Sequence, residues 1–306
     1  MRSCKYLSVS LGLPVILLGM ACVNAQELGS TQLGSTLQKA KETGVFTIGH
    51  RESSVPLSYL DDSAHPVGFS VDLCLRVADA VKARVGRPDL RIEYVPVNSS
   101  NRIPLVQNGT VDIECGSTVN YLVRQQQVAF SVTTFPVQKQ ILAKKVSAIS
   151  GIDDLRHKTV AITTGTDTLQ LFNKLNTERQ LDLRIIQGKD HAESFMLVDT
   201  ERAVAFLDDS VLMASFRASA RKPEDWIVVP GLPDIDPYAL MFRKDDPSFK
   251  ALVDGTVKGL MASGEFAKLY SKWFENPIPP HNLNFQAPMP DSLKALIAAP
   301  NDNARQ

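Results

Sequence analysis

Two rhythms of apolar and polar positions take turns along this 306-residue chain. Short apolar runs suited to buried strands alternate with longer stretches whose apolar residues recur at helical spacing, the pattern of α/β layers. Residues 45–50, 90–97 and 110–115 read as strands. Helices are expected over 70–85, with Ser70 as the cap, and over 102–107, where Asn108-Gly109 ends the turn. After Phe130 the pattern restarts, with strands over 140–144, 159–163, 183–186, 202–207, 227–229 and 238–243 and helices over 166–176, 191–199 and 211–220. Two helices follow, 248–262 and 265–274, the first with Phe249, Leu252, Val253, Val257, Leu260 and Met261 as a core stripe. Asn276-Pro277-Ile278-Pro279-Pro280 excludes helix and central strand alike. Residues 276–306 therefore read as a tail over the surface, with one short helix at 291–298.

Two α/β units followed by helices predict a chain that builds most of one lobe, crosses to build a second, and returns. Segments 131–137 and 232–238 are the expected crossings. On that reading lobe one is 26–133 plus 237–306, including the tail, and lobe two is 134–236. A double connection of this kind makes a hinge, because few residues must absorb the change in φ and ψ.

The first 25 residues break the rhythm. Arg2 and Lys5 precede an apolar stretch from Leu7 to Val23, and Val23-Asn24-Ala25 offers small residues for cleavage, the pattern of a secretory signal peptide. A lipid anchor at Cys22 is the alternative, with Gly19-Met20-Ala21 a poor lead-in. Residues 26–36 read as a mobile lead. No later segment is apolar enough to span a bilayer, so a soluble periplasmic protein is expected. Without Arg2 and Lys5, 31 basic side chains face 33 acidic ones, a balance that argues against a nucleic-acid partner. Cys4 and Cys22 fall in the leader. Cys74 and Cys115 either pair, as an oxidising compartment permits, or sit as two free core thiols.

The polar clusters fall after strands, where open α/β sheets bind ligands. They are His50-Arg51-Glu52-Ser53-Ser54, Asn98-Ser99-Ser100-Asn101-Arg102, Gly116-Ser117-Thr118, Thr163-Thr164-Gly165-Thr166, Asp190-His191 and Asp208-Asp209-Ser210. Their chemistry suits a zwitterion with an additional carboxylate. Arg51, Arg102, Arg124 and His191 can answer two carboxylates, and Asp209 an ammonium. Each residue alone has a plainer role: a solvated arginine, a packing histidine, a threonine or aspartate that merely caps a helix.

Several stretches are similar to the family of periplasmic glutamate/aspartate-binding proteins. They are Gly49-His50-Arg51-Glu52-Ser53-Ser54-Val55-Pro56, Asn101-Arg102-Ile103-Pro104-Leu105-Val106-Gln107-Asn108-Gly109-Thr110, Glu114-Cys115-Gly116-Ser117-Thr118, Arg202-Ala203-Val204-Ala205-Phe206, Arg243-Lys244-Asp245-Asp246-Pro247 and the Asn276 to Pro280 run. The resemblance extends from about Leu37 to the C-terminus. It implies an α/β, two-lobed periplasmic binding protein of the Venus-flytrap type, with two hinge crossover strands, that captures L-glutamate or L-aspartate and delivers it to the permease subunits of an ABC importer. It further implies that Arg51, Ser99, Arg102 and His191 face the ligand's side-chain carboxylate, that Arg124, Thr164 and Thr166 take the α-carboxylate, and that Ser117 and Asp209 hold the ammonium. Three departures stand out. Val119 and Asp167 replace threonines of the resembled pattern, and an acid at 167 is compatible with an anion site only if it points outward. Leu240 replaces a cysteine that some relatives place opposite Cys115.

The expected molecule is a monomer without metal or cofactor, since its five histidines are scattered, and it is not an enzyme. Two rivals are a cyclohexadienyl dehydratase-like enzyme, with Glu52 or Glu114 as its acid, and a sensor module. The second is disfavoured by the lack of any kinase, channel or later membrane segment. The residues do not rank glutamate against aspartate, nor discount glutamine as a weak ligand.

Overall fold

In this computed structural model, which describes residues 33–280 and 282–306, the first predicted strand becomes an interior strand of a sheet. β1 (Val45–His50) pairs in parallel with β5 (Arg91–Pro96) on one side and β6 (Ile113–Glu114) on the other. Between β1 and β5 the chain makes a small antiparallel sheet of β2 (Ser53–Ser54), β3 (Ser58–Leu60) and β4 (Pro66–Val67). β13 (Met241–Arg243) returns from far along the sequence, antiparallel to β6, and carries β7 (Val128–Phe130) at the edge, giving the order β5-β1-β6-β13-β7.

Helices α1 (Ser35–Thr43), α2 (Phe69–Val85), α8 (Pro247–Ser263) and α9 (Glu265–Tyr270) carry the main core of this lobe. Phe46, Phe69, Phe249 and Phe266 lie wholly buried there. The other face holds a smaller core around Val97, Val106 and Phe130, beneath α3 (Arg102–Gln107). The predicted cap moves: α2 starts after Gly68, and Ser70, inside the helix, donates to the Gly116 carbonyl at 2.9 Å. Helix α1 lies partly in the segment read as a mobile lead. Its buried Thr36, Leu37 and Ala40 are the apolar face that the Gly- and Ser-rich composition obscured.

The second sheet has the order β10-β9-β11-β8-β12. Its strands are β8 (Phe135–Lys144), β9 (Thr159–Thr163), β10 (Arg184–Gly188), β11 (Ala205–Asp209) and β12 (Trp226–Tyr238). α5 (Asp167–Glu178), α6 (His191–Asp199) and α7 (Ser210–Ser219) alternate with them, leaving an apolar cluster on each face. The expected crossings are the near ends of two long strands. β8 and β12 pair antiparallel from Phe135 and Tyr238 onward, and Phe135, Val137 and Tyr238 pack into the first core while the far halves belong to the second sheet. Two register shifts, at Pro230/Leu232 and Leu232/Ile235, interrupt β12, which explains why the sequence read it as separate pieces.

The C-terminal stretch is tied down more firmly than a surface tail. α10 (Asp291–Ala298) seats Leu293 in the first core, and Arg305 forms ion pairs with Asp234 and Asp236 of β12. Cys74 of α2 and Cys115 after β6 form a disulfide with Cα atoms 6.3 Å apart, so Cys115 pairs within this lobe in the absence of a cysteine at Leu240. No helix among the described residues is long and apolar enough to cross a membrane. The predicted leader, 1–25, and Cys22 lie outside the described residues.

Candidate functional site

Strand ends of the two sheets face each other across a cleft. From the first lobe, β1 delivers Arg51, the loop after β5 delivers Ser99, α3 begins at Arg102, and β6 runs into Ser117 and Thr118. The short helix α4 (Leu122–Gln125) supplies Arg124. From the second lobe come the Thr163 to Asp167 turn into α5, His191 at the start of α6, Asp208 and Asp209 at the end of β11, and Lys139 of β8.

Arg51 and Arg102, each only 2 % exposed, share Ser117. Arg51 Nη1 lies 3.5 Å from its Oγ, while Arg102 Nη1 donates to its carbonyl at 3.3 Å. Arg51 Nη2 also donates to Ser99 Oγ at 3.0 Å. Behind them sits Glu114, fully buried, whose Oε2 accepts from Thr118 Oγ1 at 2.7 Å; Thr118 in turn accepts from Arg102 at 2.7 Å. Glu114 thus acts on both arginines as a buried opposite charge, through Thr118 and through space rather than by a direct ion pair, and its Oε1 has no hydrogen-bond partner. Glycine is needed at 116, since a Cβ there would lie 2.2 Å from Glu114 Oε1 and 2.8 Å from Arg51 Cγ. Burial, with Arg124 close by, lowers Arg102 to about 9 despite the opposing pull of Glu114. Its Nε is buried without a hydrogen-bond partner. A buried donor left over in this way is capacity for an anion.

His191 bridges the lobes. Its Nε2 lies 3.2 Å from Arg51 Nη2, so it must accept, and Nδ1 carries the proton toward Thr163 Oγ1 at 3.0 Å, with Asp208 Oδ2 3.2 Å away. Burial, together with Arg51 and Arg102, lowers its pKa although Asp208 opposes; a neutral ring fits that geometry. At the cleft mouth Gly165, with φ of 77°, comes so near the other lobe that a Cβ would lie 2.7 Å from Ser100 Cα.

The other end of the cleft differs from expectation. Arg124 donates to the Val119 carbonyl at 2.9 Å and reaches Asp167 Oδ1 at 3.4 Å. Asp167 does not point outward, as an acid beside an anion site should. It turns into the cleft because Lys139 is there to receive it, at 2.5 Å. Lys139 Nζ also contacts Asp209 Oδ1 at 2.5 Å and Asp236 Oδ2 at 3.2 Å, and Tyr238 donates to Asp209 Oδ2 at 2.5 Å. Burial pushes Asp209 up to about 7 against the pull of Lys139, with Asp167 and Asp208 adding to the rise. Oxygens of Asp167, Asp209 and Asp236 lie within 4.8 Å of one another, a spacing a cation would accept, but the Lys139 ammonium already touches all three.

The structure therefore brings Arg51, Ser99, Arg102, Ser117 and His191 together and sets Arg124 beside Asp167. It engages three expected groups elsewhere. Thr166 caps α5, accepting from Leu169 N and donating to the Thr163 carbonyl, and Thr164 donates to Gln187 at 2.9 Å. Asp209 is held by Lys139 and Tyr238. Glu52 is exposed and Glu114 is sequestered behind the arginines, so neither is presented as an acid. Sequence reasoning missed Glu114 as a charge acting on the arginines, and Tyr238 and Lys139 altogether; Thr118 it placed in a polar cluster without a role. The lysine had a signal: Phe135, Val137, Lys139 and Ile141 share the buried face of β8, and a lysine in that register needs partners.

Comparison with known proteins agrees with this architecture. The chain is 48 % identical over 278 residues to a glutamate/aspartate import solute-binding protein of Salmonella typhimurium, covering 91 % of this chain and 92 % of that one. It is 47 % identical to an L-glutamate/L-aspartate-binding protein of Pseudomonas aeruginosa, covering 90 % and 91 %. Among solved structures, an ancestral amino-acid-binding protein described as a precursor of cyclohexadienyl dehydratase superposes with a TM-score of 0.66 at 27 % identity, covering 78 % of this chain and 98 % of that one. The relatives of high identity are named as an import solute-binding protein and a binding protein, not as enzymes. Residues 46–276 match the bacterial extracellular solute-binding proteins, family 3, and the chain belongs to that family.

Proposed function

We propose that this protein captures L-glutamate and L-aspartate between its lobes in the periplasm and presents them to the permease of an ABC importer. One observation carries the reading most directly: Arg51 and Arg102 converge, buried, on Ser117, and Arg102 Nε is left without a partner. In this reading the distal carboxylate sits against Arg51, Ser99, Arg102 and His191, and the head group lies toward Arg124, Ser117 and Asp209. Backbone N–H groups at the start of α5 supplement Arg124, since helix starts favour anions and the hydroxyls of Thr164 and Thr166 are engaged. Of the described residues, 33–133 with 237–280 and 282–306 are assigned to lobe one and 134–236 to lobe two, so β8 and β12 form the hinge. The names of the close relatives support the ligand class.

The arrangement works by bridging. A ligand held first by the arginines of one lobe gains its remaining contacts only when the other lobe closes, and only such contacts shift the open–closed balance. The closed shape is then what the membrane partner reads. Isothermal titration of protein stripped of ligand by unfolding and refolding, against L-glutamate, L-aspartate and L-glutamine, tests the reading. Heat with the two acids and little with the amide is expected; silence with both acids discards it.

A further inference from the structure

We propose that Lys139 and Asp167 form a built-in rival for the ligand's head group, offering an ammonium and a carboxylate to the two partners, Asp209 and Arg124, that an α-amino acid would need. This deepens the reading above and rests on it. Lys139 Nζ donates to Asp209 Oδ1 at 2.5 Å, Asp167 Oδ1 receives Arg124 Nη2 at 3.4 Å, and Asp167 Oδ2 closes the pair with Lys139 at 2.5 Å. In an α-amino acid the nitrogen and the nearer carboxylate oxygen are roughly 2.7 Å apart, from the bonds and angles that join them. The side-chain pair therefore packs opposite charges about as tightly as the head group does, and faces them toward the same groups.

Neither residue is needed by the element that carries it. Lys139 occupies a buried position of β8 between Val137 and Ile141, where an apolar side chain would serve the sheet at no desolvation cost. Asp167 lies in the first turn of α5, a favourable place for an acid, yet the cap is made by Thr166. The Asp167 carboxylate turns away to reach a lysine on another strand and an arginine on the other lobe. Because Arg124 belongs to the first lobe, the pair also links one lobe to the other.

An incoming amino acid must displace these contacts, so at Arg124 and Asp209 it exchanges bonds and gains few. Net attraction is left to the distal carboxylate at Arg51 and Arg102. The pair thus lowers affinity and lets ligand go readily.

The test is isothermal titration of L-glutamate and L-aspartate into ligand-stripped wild type and into the Lys139→Met/Asp167→Thr double variant, each first shown to melt cooperatively. The double variant should bind about ten-fold more tightly or better, the equivalent of one charge-assisted hydrogen bond no longer in competition. A purely structural role would give the opposite sign. Equal or weaker binding by the folded double variant, with wild type binding, overturns the proposal and leaves the proposed function standing. Silence from both folded proteins overturns both. Binding by the variant alone supports the rival pair and denies that the native chain captures these acids. If the first variant does not fold, the near-isosteric Lys139→Gln/Asp167→Asn carries the same expectation and the same outcomes.

Discussion

The first lobe brings Arg51, Arg102 and Arg124 to the cleft, whereas the second brings Asp167, Asp208 and Asp209 with Lys139 and a neutral His191. The arginine wall is built from the inside. Glu114 lies behind Arg51 and Arg102 as a buried opposite charge, and a disulfide fastens the turn after β6 to α2. The facing wall is built differently: its carboxylates meet Lys139 beside them and Arg124 of the other lobe directly, so charges there answer one another. A preorganised wall can wait for an anion with unused donors, while a wall of mutually satisfied charges sets how firmly the lobes close.

The largest effect should follow from breaking the arginine wall. Arg102→Met should weaken acidic ligands about 100-fold or more, as loss of one partner of a buried charged contact does. Glu114 then has one opposite charge fewer nearby, so stability should fall as well. Adding Glu114→Gln should recover much of that stability in chemical denaturation and none of the affinity in titration. Recovery of both would make Arg102 a scaffold residue and nothing more.

The disulfide sharpens the same contrast. Cys74 and Cys115 are 41 residues apart, a loop whose closure is worth about 4 kcal/mol on the chain-entropy argument, with measured values usually about 2–4. Cys74→Ala/Cys115→Ala should lower unfolding free energy within that range. Affinity should change less than about three-fold, because Glu114 and the Ser117 contacts hold the arginines without it. A large loss of affinity measured on folded variant would show that the staple positions the wall.

Closure itself can be broken at Gly165. Alanine there adds a Cβ against Ser100 of the opposite lobe and forces a left-handed φ of 77° on a residue that disfavours it. The backbone cost is about 1–2 kcal/mol. Affinity should fall roughly ten-fold as the cleft is held ajar, and the radius of gyration with ligand should stay near its ligand-free value. Unchanged closure by small-angle scattering would locate the tight approach outside the motion.

Much of this molecule was legible before its structure, for reasons that separate by length scale. β1, α3, β9, α6 and α10 fall where periodicity puts them, because each is a local pattern with local stops. The small sheet β2 to β4 was not seen, its strands being two or three residues long. Arg51, Arg102 and Ser117 come together because polar clusters after strands converge in this topology. Asp167 was read for its charge alone. Its direction depends on Lys139, 28 residues earlier on another strand, and no local pattern reports such a pairing. Thr166, singled out for its chemistry, also caps α5.

The smallest effect concerns pH. His191 Nε2 accepts from Arg51 across the cleft, and the charges that face the ring are Arg51, Arg102 and Asp208. Burial holds its pKa below the free value of about 6.5, so on acidification an open or unfolded chain takes up the proton before the closed one. The stability that closure draws from this contact is therefore full above about pH 6.5 and is lost as pH falls through the lower closed-state value. Asp209 acts in the opposite direction. Raised to about 7, it favours the folded form most below its ordinary value of about 3.9, and that contribution fades as pH rises toward 7. The two must be separated by substitution. In His191→Gln the amide oxygen can still accept from Arg51 but does not titrate, so the acid-side expansion of ligand-free protein between about pH 7 and 5 should flatten. The effect is expected to stay near 1 kcal/mol. If wild type and variant expand alike, His191 is not the trigger; Asp209 cannot be, since its protonation favours the folded form, and Asp209→Asn should leave the expansion in place.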